Sequence, residues 1–201
     1  HDGKPLPPYL PGQYLTFQLR VPGADKPVVR CYSLSDSPAE AYRVTVKKVL
    51  PGPDAPDAPP GLCSTYFNDH VQVGDILDVK APSGHFVLST TKTTPVVLIG
   101  GGIGITPVLS MLNAVCESGL KREVWFFLGV RDGTEHLMRD QLRRIQREYE
   151  NIQVRVCYSR PAGGDVQGRD YDYEGFVGVD LFKELLPSNN YEFYVCGPPP
   201  M

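Results

Sequence analysis

Two hydrophobic periods divide the chain. In the first half Leu15, Phe17, Leu19 and Val21 alternate with Thr16, Gln18 and Arg20, and Tyr42, Val44 and Val46 alternate with Arg43, Thr45 and Lys47. A period of two belongs to half-buried strands. Turns are supplied by Pro11-Gly12, Pro22-Gly23 and Ser37-Pro38, and a further strand is predicted over Asp75 to Lys80. Short strands at this spacing predict an antiparallel β-barrel. The Pro-rich stretch Pro51 to Gly61 predicts a stiff, extended excursion.

The second half changes period. Val96 to Ile99 reads as a strand, followed after a glycine turn by Val108, Leu109, Met111, Leu112 and Val115 at helical spacing, with Gly119 as the stop. Val124 to Leu128 is a second strand. Asp132 and Glu135 then stand three apart, like a capping box, before Met138, Leu142, Ile145 and Tyr149 on one helical face. Ile152 to Val156 is a third strand, Leu181 to Leu186 a short helix capped by Asp180, and Tyr191 to Cys196 a fourth strand. This alternation predicts a parallel sheet covered by helices. The boundary falls near Thr91 to Pro95, giving domains over 1–92 and 93–201.

Composition narrows what this pattern can serve. With 41% apolar and 21% charged positions among 201 residues, both halves can bury a core. Twenty Lys and Arg against 23 Asp and Glu leave a formal charge of −3, so no basic excess exists to hold nucleic acid or an anionic membrane. The run Val96 to Ile99 is far too short to span a bilayer, and the N-terminus carries no signal pattern. Five cysteines (Cys31, Cys63, Cys116, Cys157, Cys196) are scattered, and His1, His70, His85 and His136 form no ligand-spaced set. Reduced thiols, a cytoplasmic location and no bound metal are therefore expected.

Four stretches carry candidate chemistry. In Gly100 to Pro107 (GGGIGITP), Gly101, Gly102 and Gly104 let a ligand approach the backbone. The helix beginning at Thr106-Pro107 offers free N–H groups to a phosphate. Ile105 stands where the common dinucleotide fingerprint has its third glycine, and Gly129-Val130-Arg131 closes the next strand without the usual ribose-binding acid. In Arg30 to Ser35 (RCYSLS), Arg30 suits a phosphate, Tyr32 a planar heterocycle and Ser33 a ring nitrogen, which are the needs of a flavin. The same alternation also describes a plain wet sheet face. Gly61 to Tyr66 opens a possible helix whose N-terminus serves an anion or is merely capped. Cys196-Gly197-Pro198 ends the last strand, where ligands of parallel sheets gather.

Taken in order, RCYSLS, VTVKKV, GLCSTYF, GHFVL, GGGIGITP and CGPPPM resemble the motifs of the ferredoxin-NADP reductase family over nearly the whole chain. The resemblance implies a FAD-binding barrel followed by an α/β NAD(P)-binding domain. The family's first barrel strand is expected before His1 and its last sheet strand after Met201. It further implies Arg30 on the FAD pyrophosphate, Tyr32 on the isoalloxazine and Ser33 near flavin N5, with Val46, Lys47, Gly61, Cys63 and Ser64 completing the flavin site. Gly101, Gly102, Gly104, Thr106 and Pro107 then hold the nicotinamide nucleotide. Cys196, with Gly197 and Pro198, stands beside the nicotinamide as a positioning group, so Ser33 and Cys196 are the candidates at the hydride-transfer point. His85, inside the family's G-x-F turn, is assigned packing. Ser159-Arg160 resembles the pair that holds the 2'-phosphate of NADPH, with Arg131 adding charge, yet NADH-dependent relatives carry similar pairs and both cofactors stay open.

The activity so implied is hydride transfer from NADH or NADPH to FAD, followed by single-electron transfer to a metal-centre acceptor. PGQY, RCYSLSDSP, DHVQVGD and DYEGFVGVDLFKELLP resemble most the reductase parts of flavohaemoglobins and of iron-sulfur oxygenase reductases. The acceptor implied is a ferredoxin-type [2Fe-2S] centre, an oxygenase or a globin haem outside this segment, and a flavohaemoglobin-type nitric oxide dioxygenase is one version. The alternative of another class is a flavin- or nucleotide-binding interaction module without turnover.

Overall fold

The computed structural model describes residues 5–38, 41–52, 55–119 and 121–198; His1, Pro53, Asp54, Pro199, Pro200 and Met201 of the stretches read above lie outside them. In the first half β1 (Tyr14–Leu19), β2 (Val28–Ser33) and β3 (Asp78–Ser83) form an antiparallel sheet ordered β2-β1-β3. β1 turns Leu15, Phe17 and Leu19 inward onto Tyr9, Val21 and Leu34, as its period of two requires. Helix α1 (Leu62–Asp69) closes this core with Cys63, Tyr66 and Phe67.

The strand expected over Tyr42 to Lys47 is reduced to one antiparallel bridge between Val44 and Leu34. Single bonds tie the segment down instead. Ser35 N–H donates to the Arg43 carbonyl at 2.9 Å, Ser35 Oγ and Thr45 Oγ1 lie 2.9 Å apart, and Val49 N–H donates to Ser64 Oγ at 3.1 Å. Side chains and the first turn of α1 thus replace the ladder. β3 also begins later than the expected Asp75. His85 is exposed, so the packing expected of it is not found; the neighbouring Phe86, also exposed, meets the Tyr194 ring edge-on at 5.7 Å.

In the second half β4 (Val96–Gly101), β5 (Val124–Val130), β6 (Ile152–Tyr158), β7 (Tyr173–Glu174) and β8 (Glu192–Cys196) form a parallel sheet ordered β7-β6-β5-β4-β8. β4 is buried at every position, as a strand covered on both faces must be. Val96 and Leu98 join the core under α2 (Ile105–Ser118) and α3 (Arg139–Glu148), while Val97 and Ile99 join Trp125, Phe127 and the apolar side of α4 (Val179–Leu185). Helix α2 ends at the expected Gly119, whose φ of 69° suits a left-handed stop.

Two expected caps are corrected. Asp132 caps a short 3-10 turn over Gly133–Glu135, accepting from Thr134 N–H at 2.9 Å. Helix α3 starts only after Met138, which adopts a left-handed φ of 56°. The burial of Leu142 and Ile145 sets its phase. Similarly, α4 is preceded by Gly178, and Asp180 lies within its first turn, where its charge complements the helix dipole rather than capping it.

A polar knot joins the two halves. Ser110 of α2 donates to the Asp36 carbonyl, Asn113 Nδ2 donates to the Asp36 carboxylate at 2.9 Å, and Ser37 Oγ donates to Glu117. Tyr9 Oη donates to the Asp36 carbonyl at 2.9 Å. Burial, then the Asp36 charge, pushes the Tyr9 phenol up to about 12. Elsewhere the buried Arg122 donates to the carbonyls of Ser89 and Thr94 and pairs with Glu192 of β8 at 2.9 Å, pinning the linker to the sheet. Among the described residues no helix is long and apolar enough to cross a membrane.

Candidate functional site

The carboxyl ends of β4, β5, β6 and β8 face the end of β2 and the start of α1 across a cleft of roughly 840 Å³. The first half lines it with Arg30, Cys31, Tyr32, Ser33, Thr45, Lys47, Val49 and residues 61–64. The second half contributes residues 101–104, Thr106, Gly129, Val130, Arg131, Glu135, Ser159, Gly175, Phe176, Val177, Cys196, Gly197 and Pro198.

On the first wall Arg30 is exposed, and among the described residues its guanidinium donates only to the Val29 carbonyl, at 2.8 Å. No carboxylate pairs with it among the described residues. Tyr32 is held edge-on by Phe17 at 5.8 Å and Phe67 at 5.1 Å, and burial raises its phenol, followed by the neighbouring Cys63. Helix α1 starts at Gly61 with no side-chain cap and no acidic residue in its first turn. A Cβ on Gly61 would lie 2.7 Å from Ser64 Oγ and 2.8 Å from Val49 Cβ. The Ser64 hydroxyl is already engaged, donating to the Gly61 carbonyl at 2.9 Å and accepting from Val49 N–H. The Gly61 N–H donates to the Val49 carbonyl at 2.9 Å, so the groups left without an intrahelical partner are the backbone N–H of residues 62–64.

On the opposite wall α2 also begins without a side-chain cap or first-turn acid. Gly102 has φ 51° and open space where a Cβ would stand, whereas a Cβ on Gly104 would lie 2.1 Å from the Cys196 carbonyl oxygen. The glycine turn thus presses against the end of β8 on one side and lies open on the other. Thr106 Oγ1 donates back to the Ile103 carbonyl at 3.0 Å. A 3-10 turn over Gly102–Gly104 runs directly into α2, with the Ile105 N–H donating to the Gly102 carbonyl, so the free N–H groups on this wall belong to the glycine turn. With the uncapped start of α1 and a guanidinium that meets no carboxylate among the described residues, they form an anion-binding arrangement suited to paired phosphates. Burial raises the Cys196 thiol above its ordinary value, keeping it protonated and weakly nucleophilic.

Three expected residues lie outside the lining. The Val46 carbonyl accepts from Asn68 Nδ2 at 3.4 Å, Pro107 is buried in the first turn of α2, and Arg160 is exposed, its backbone N–H donating to the Arg131 carbonyl at 2.8 Å. The Ser159-Arg160 pair is therefore not assembled in the cleft. Arg131 is there, but it pairs with Asp132 at 2.9 Å and Glu135 at 3.9 Å. Sequence reasoning missed Thr45, Val49, Glu135 and Phe176. Only Phe176 carried a usable signal, as an aromatic residue between two glycines, Gly175 and Gly178, and it stands 71% exposed.

An antiparallel sheet and a parallel sheet sharing such a cleft define a two-cofactor oxidoreductase that binds a flavin and a nicotinamide nucleotide. Residues 7–88 match the family model described as an oxidoreductase FAD-binding domain, and residues 98–201 match the oxidoreductase NAD-binding domain. The chain belongs to this oxidoreductase family and is an NAD(P)H-dependent flavin oxidoreductase of the ferredoxin-NADP reductase type. It is 42% identical over 198 residues to a flavohemoprotein of Bacillus cereus, covering 98% of this chain and 48% of that protein. It is 43% identical over 200 residues to one of Bacillus anthracis, covering 99% and 49%. The chain thus spans about half the length of the curated relatives it matches. Among solved structures, the FAD/NAD-binding domain of a nitric oxide dioxygenase from Vibrio cholerae superposes with a TM-score of 0.82 at 29% identity, over 98% of this chain and 77% of that one. A flavohemoglobin from Malassezia yamatoensis superposes with a TM-score of 0.75 at 27% identity, over 99% and 47%.

Proposed function

We propose that this chain is the reductase portion of a flavohaemoglobin-like protein, receiving electrons from NAD(P)H and passing them singly to a haem held outside these residues. The observation that carries the reading is the cleft shared by the uncapped start of α1 and the glycine turn that leads into α2. The flavohemoproteins matched along almost the whole chain support haem as the acceptor.

The residues present fit FAD, because Arg30 has no acidic partner among the described residues and the first turn of α1, after Gly61, has N–H groups without intrahelical partners. When bound, FAD supplies the hydride acceptor and single-electron donor that amino-acid side chains lack. Arg30 and the start of α1, through Gly61, Cys63 and Ser64, bind the pyrophosphate. Tyr32, steadied by Phe17 and Phe67, gives the isoalloxazine a flat wall, and Ser33 places its hydroxyl beside it. Gly101, Gly102, Gly104 and Thr106 receive the nicotinamide nucleotide, with Pro107 fixing the helix turn behind them. Arg131, Ser159 and Phe176 border its adenosine end. Cys196, Gly197 and Pro198 wall the nicotinamide as positioning groups. Hydride transfer needs alignment rather than a protein acid or base, in keeping with a thiol that stays protonated.

Anaerobic addition of NADH or NADPH to FAD-loaded protein is expected to bleach the flavin absorbance within one turnover. An unchanged spectrum would leave a binding module without catalysis. Cys196→Ala is expected to slow this single-turnover reduction about tenfold through lost alignment, with FAD retention unchanged. Equal rates in variant and parent remove Cys196 from the site.

A further inference from the structure

A second, smaller groove of roughly 280 Å³ lies between α3, the middle of β6 and residues 168–172, and it shares no lining residue with the cleft. Leu142, Val154, Val156 and Tyr171, all buried, border it. Its remaining lining is strongly basic. Arg139, Arg143 and Arg147 stand four residues apart, in one row along α3, and Arg169 joins them from the loop. In a chain whose formal charge is −3, this is a local concentration of positive charge.

Acids do not balance the row. Asp170 is shared by Arg169 at 2.7 Å, Arg139 at 3.3 Å and Arg143 at 3.9 Å. Arg169 above all holds that carboxyl down at about 2, so it is already charged and already spent. Asp172, the other lining acid, accepts from the Val156 N–H at 2.7 Å. Four guanidinium groups thus line the groove with two carboxylates, and Arg147 pairs with neither among the described residues.

A buried donor beside the same groove also lacks a partner. His136 Nδ1 lies 2.8 Å from Tyr158 Oη, which accepts from Arg139 Nη2 at 3.0 Å. Burial raises the Tyr158 phenol, so it keeps its proton, and His136 Nδ1 is the acceptor for that proton among the described residues. Burial, then Arg139 and Arg143, brings the imidazole down to about 4 and leaves it neutral. Its one proton therefore sits on Nε2, which is buried without a hydrogen-bond partner. The Asp170 carbonyl acts on the ring without completing a bond. An orphaned N–H beside surplus guanidinium groups calls for an anionic oxygen.

We infer that this groove is a second anion site, separate from the cofactor cleft, in which Arg143 and Arg147 hold a diphosphate-type ion and His136 Nε2–H donates to one of its oxygens. Two guanidinium groups one helical turn apart suit an ion with two charged groups. Arg139, engaged with Asp170 and Tyr158, acts as a positioning residue that fixes the His136 tautomer. The inference does not depend on the cofactor assignment, because no residue is shared with the cleft.

Nitrogen NMR spectra of the FAD-loaded protein test it, with the His136 signals assigned by their loss in His136→Gln. The parent is expected to show the Nε2–H tautomer, and inorganic pyrophosphate added at constant ionic strength should shift that N–H signal along a saturable curve. The double variant Arg143→Gln with Arg147→Gln should raise the Kd read from the curve by roughly tenfold or more. Both side chains are exposed, and an unchanged flavin content verifies that the variant is folded. Arg131→Gln, which removes a cation from the cleft instead, should leave the Kd where it was. An Nδ1–H tautomer in the parent overturns the inference, as does a His136 signal indifferent to pyrophosphate or an unchanged Kd in the double variant. A weakening in Arg131→Gln as large as in the double variant would place the ion in the cleft and overturn it too.

Discussion

Gly104→Ala is expected to lose about 3 kcal/mol of stability and most of its nicotinamide-nucleotide binding, since overpacking against backbone that cannot yield is among the costlier core changes. The residue has φ −62°, a helical value any residue adopts, so backbone strain contributes nothing. The added methyl would instead stand 2.1 Å from the Cys196 carbonyl oxygen, 2.6 Å from its carbon and 2.8 Å from Gly197 Cα. To make room, the end of β8 must move away from the glycine turn, and those two elements together make one wall of the cleft. Urea unfolding followed by nucleotide titration checks both effects. Gly102→Ala is the contrasting case: its Cβ enters open space but at φ 51°, and about 1 kcal/mol of backbone cost is expected. Equal stability of the two variants would show that the contact with β8 does not constrain the turn.

Arg30→Ala is expected to strip the flavin while leaving the fold intact. A phosphate pairing with Arg30 gains a charge-assisted bond worth about 2 kcal/mol, so FAD affinity should fall roughly thirtyfold. The fold should not register the loss, because Arg30 is exposed and, among the described residues, donates only to the carbonyl of its own neighbour. Arg30→Lys should recover part of the affinity, since lysine keeps the charge but not the planar fork. Fluorescence titration of the apoprotein with FAD gives these affinities. An unchanged Kd in Arg30→Ala would move the pyrophosphate elsewhere.

Much of this arrangement was readable from residues alone, and the failures share a physical cause. The parallel sheet was legible because strands buried on both faces are written as short apolar runs such as Val96 to Ile99. The glycine turn was legible because glycines after a strand have few other uses. The segment Tyr42 to Lys47 misled because alternation records which side chains face inward, not whether a neighbouring strand exists to pair with the backbone. Here Ser35, Thr45 and Ser64 supply the bonds. The acidic pair Asp132 and Glu135 misled in another way. Three-residue spacing suits a capping box, yet Asp132 satisfies a single tight turn and Glu135 reaches across to Lys47. Such a partner, far off in sequence, leaves no local trace. Ser159 and Arg160 are adjacent in the chain but diverge at the strand end, one into the cleft and one to solvent.

The Asp36 knot has a mechanical consequence. Ser110 and Asn113 lie one and two turns along α2 from Thr106, so the anchor sits about 6 to 10 Å along the helix from the floor of the cleft at the helical rise of about 1.5 Å per residue. Its bonds are partly buried and reach both the backbone and the carboxylate of Asp36, which makes the floor stiff. The rim, by contrast, is bridged by Lys47 and Glu135 through a solvent-exposed ion pair of a kind worth at most about 1 kcal/mol. Compliance is therefore distributed unevenly: the base keeps the two ligand beds in fixed alignment while the mouth yields to thermal motion, so admission of a ligand and accuracy of its placement are governed by different parts of the same wall.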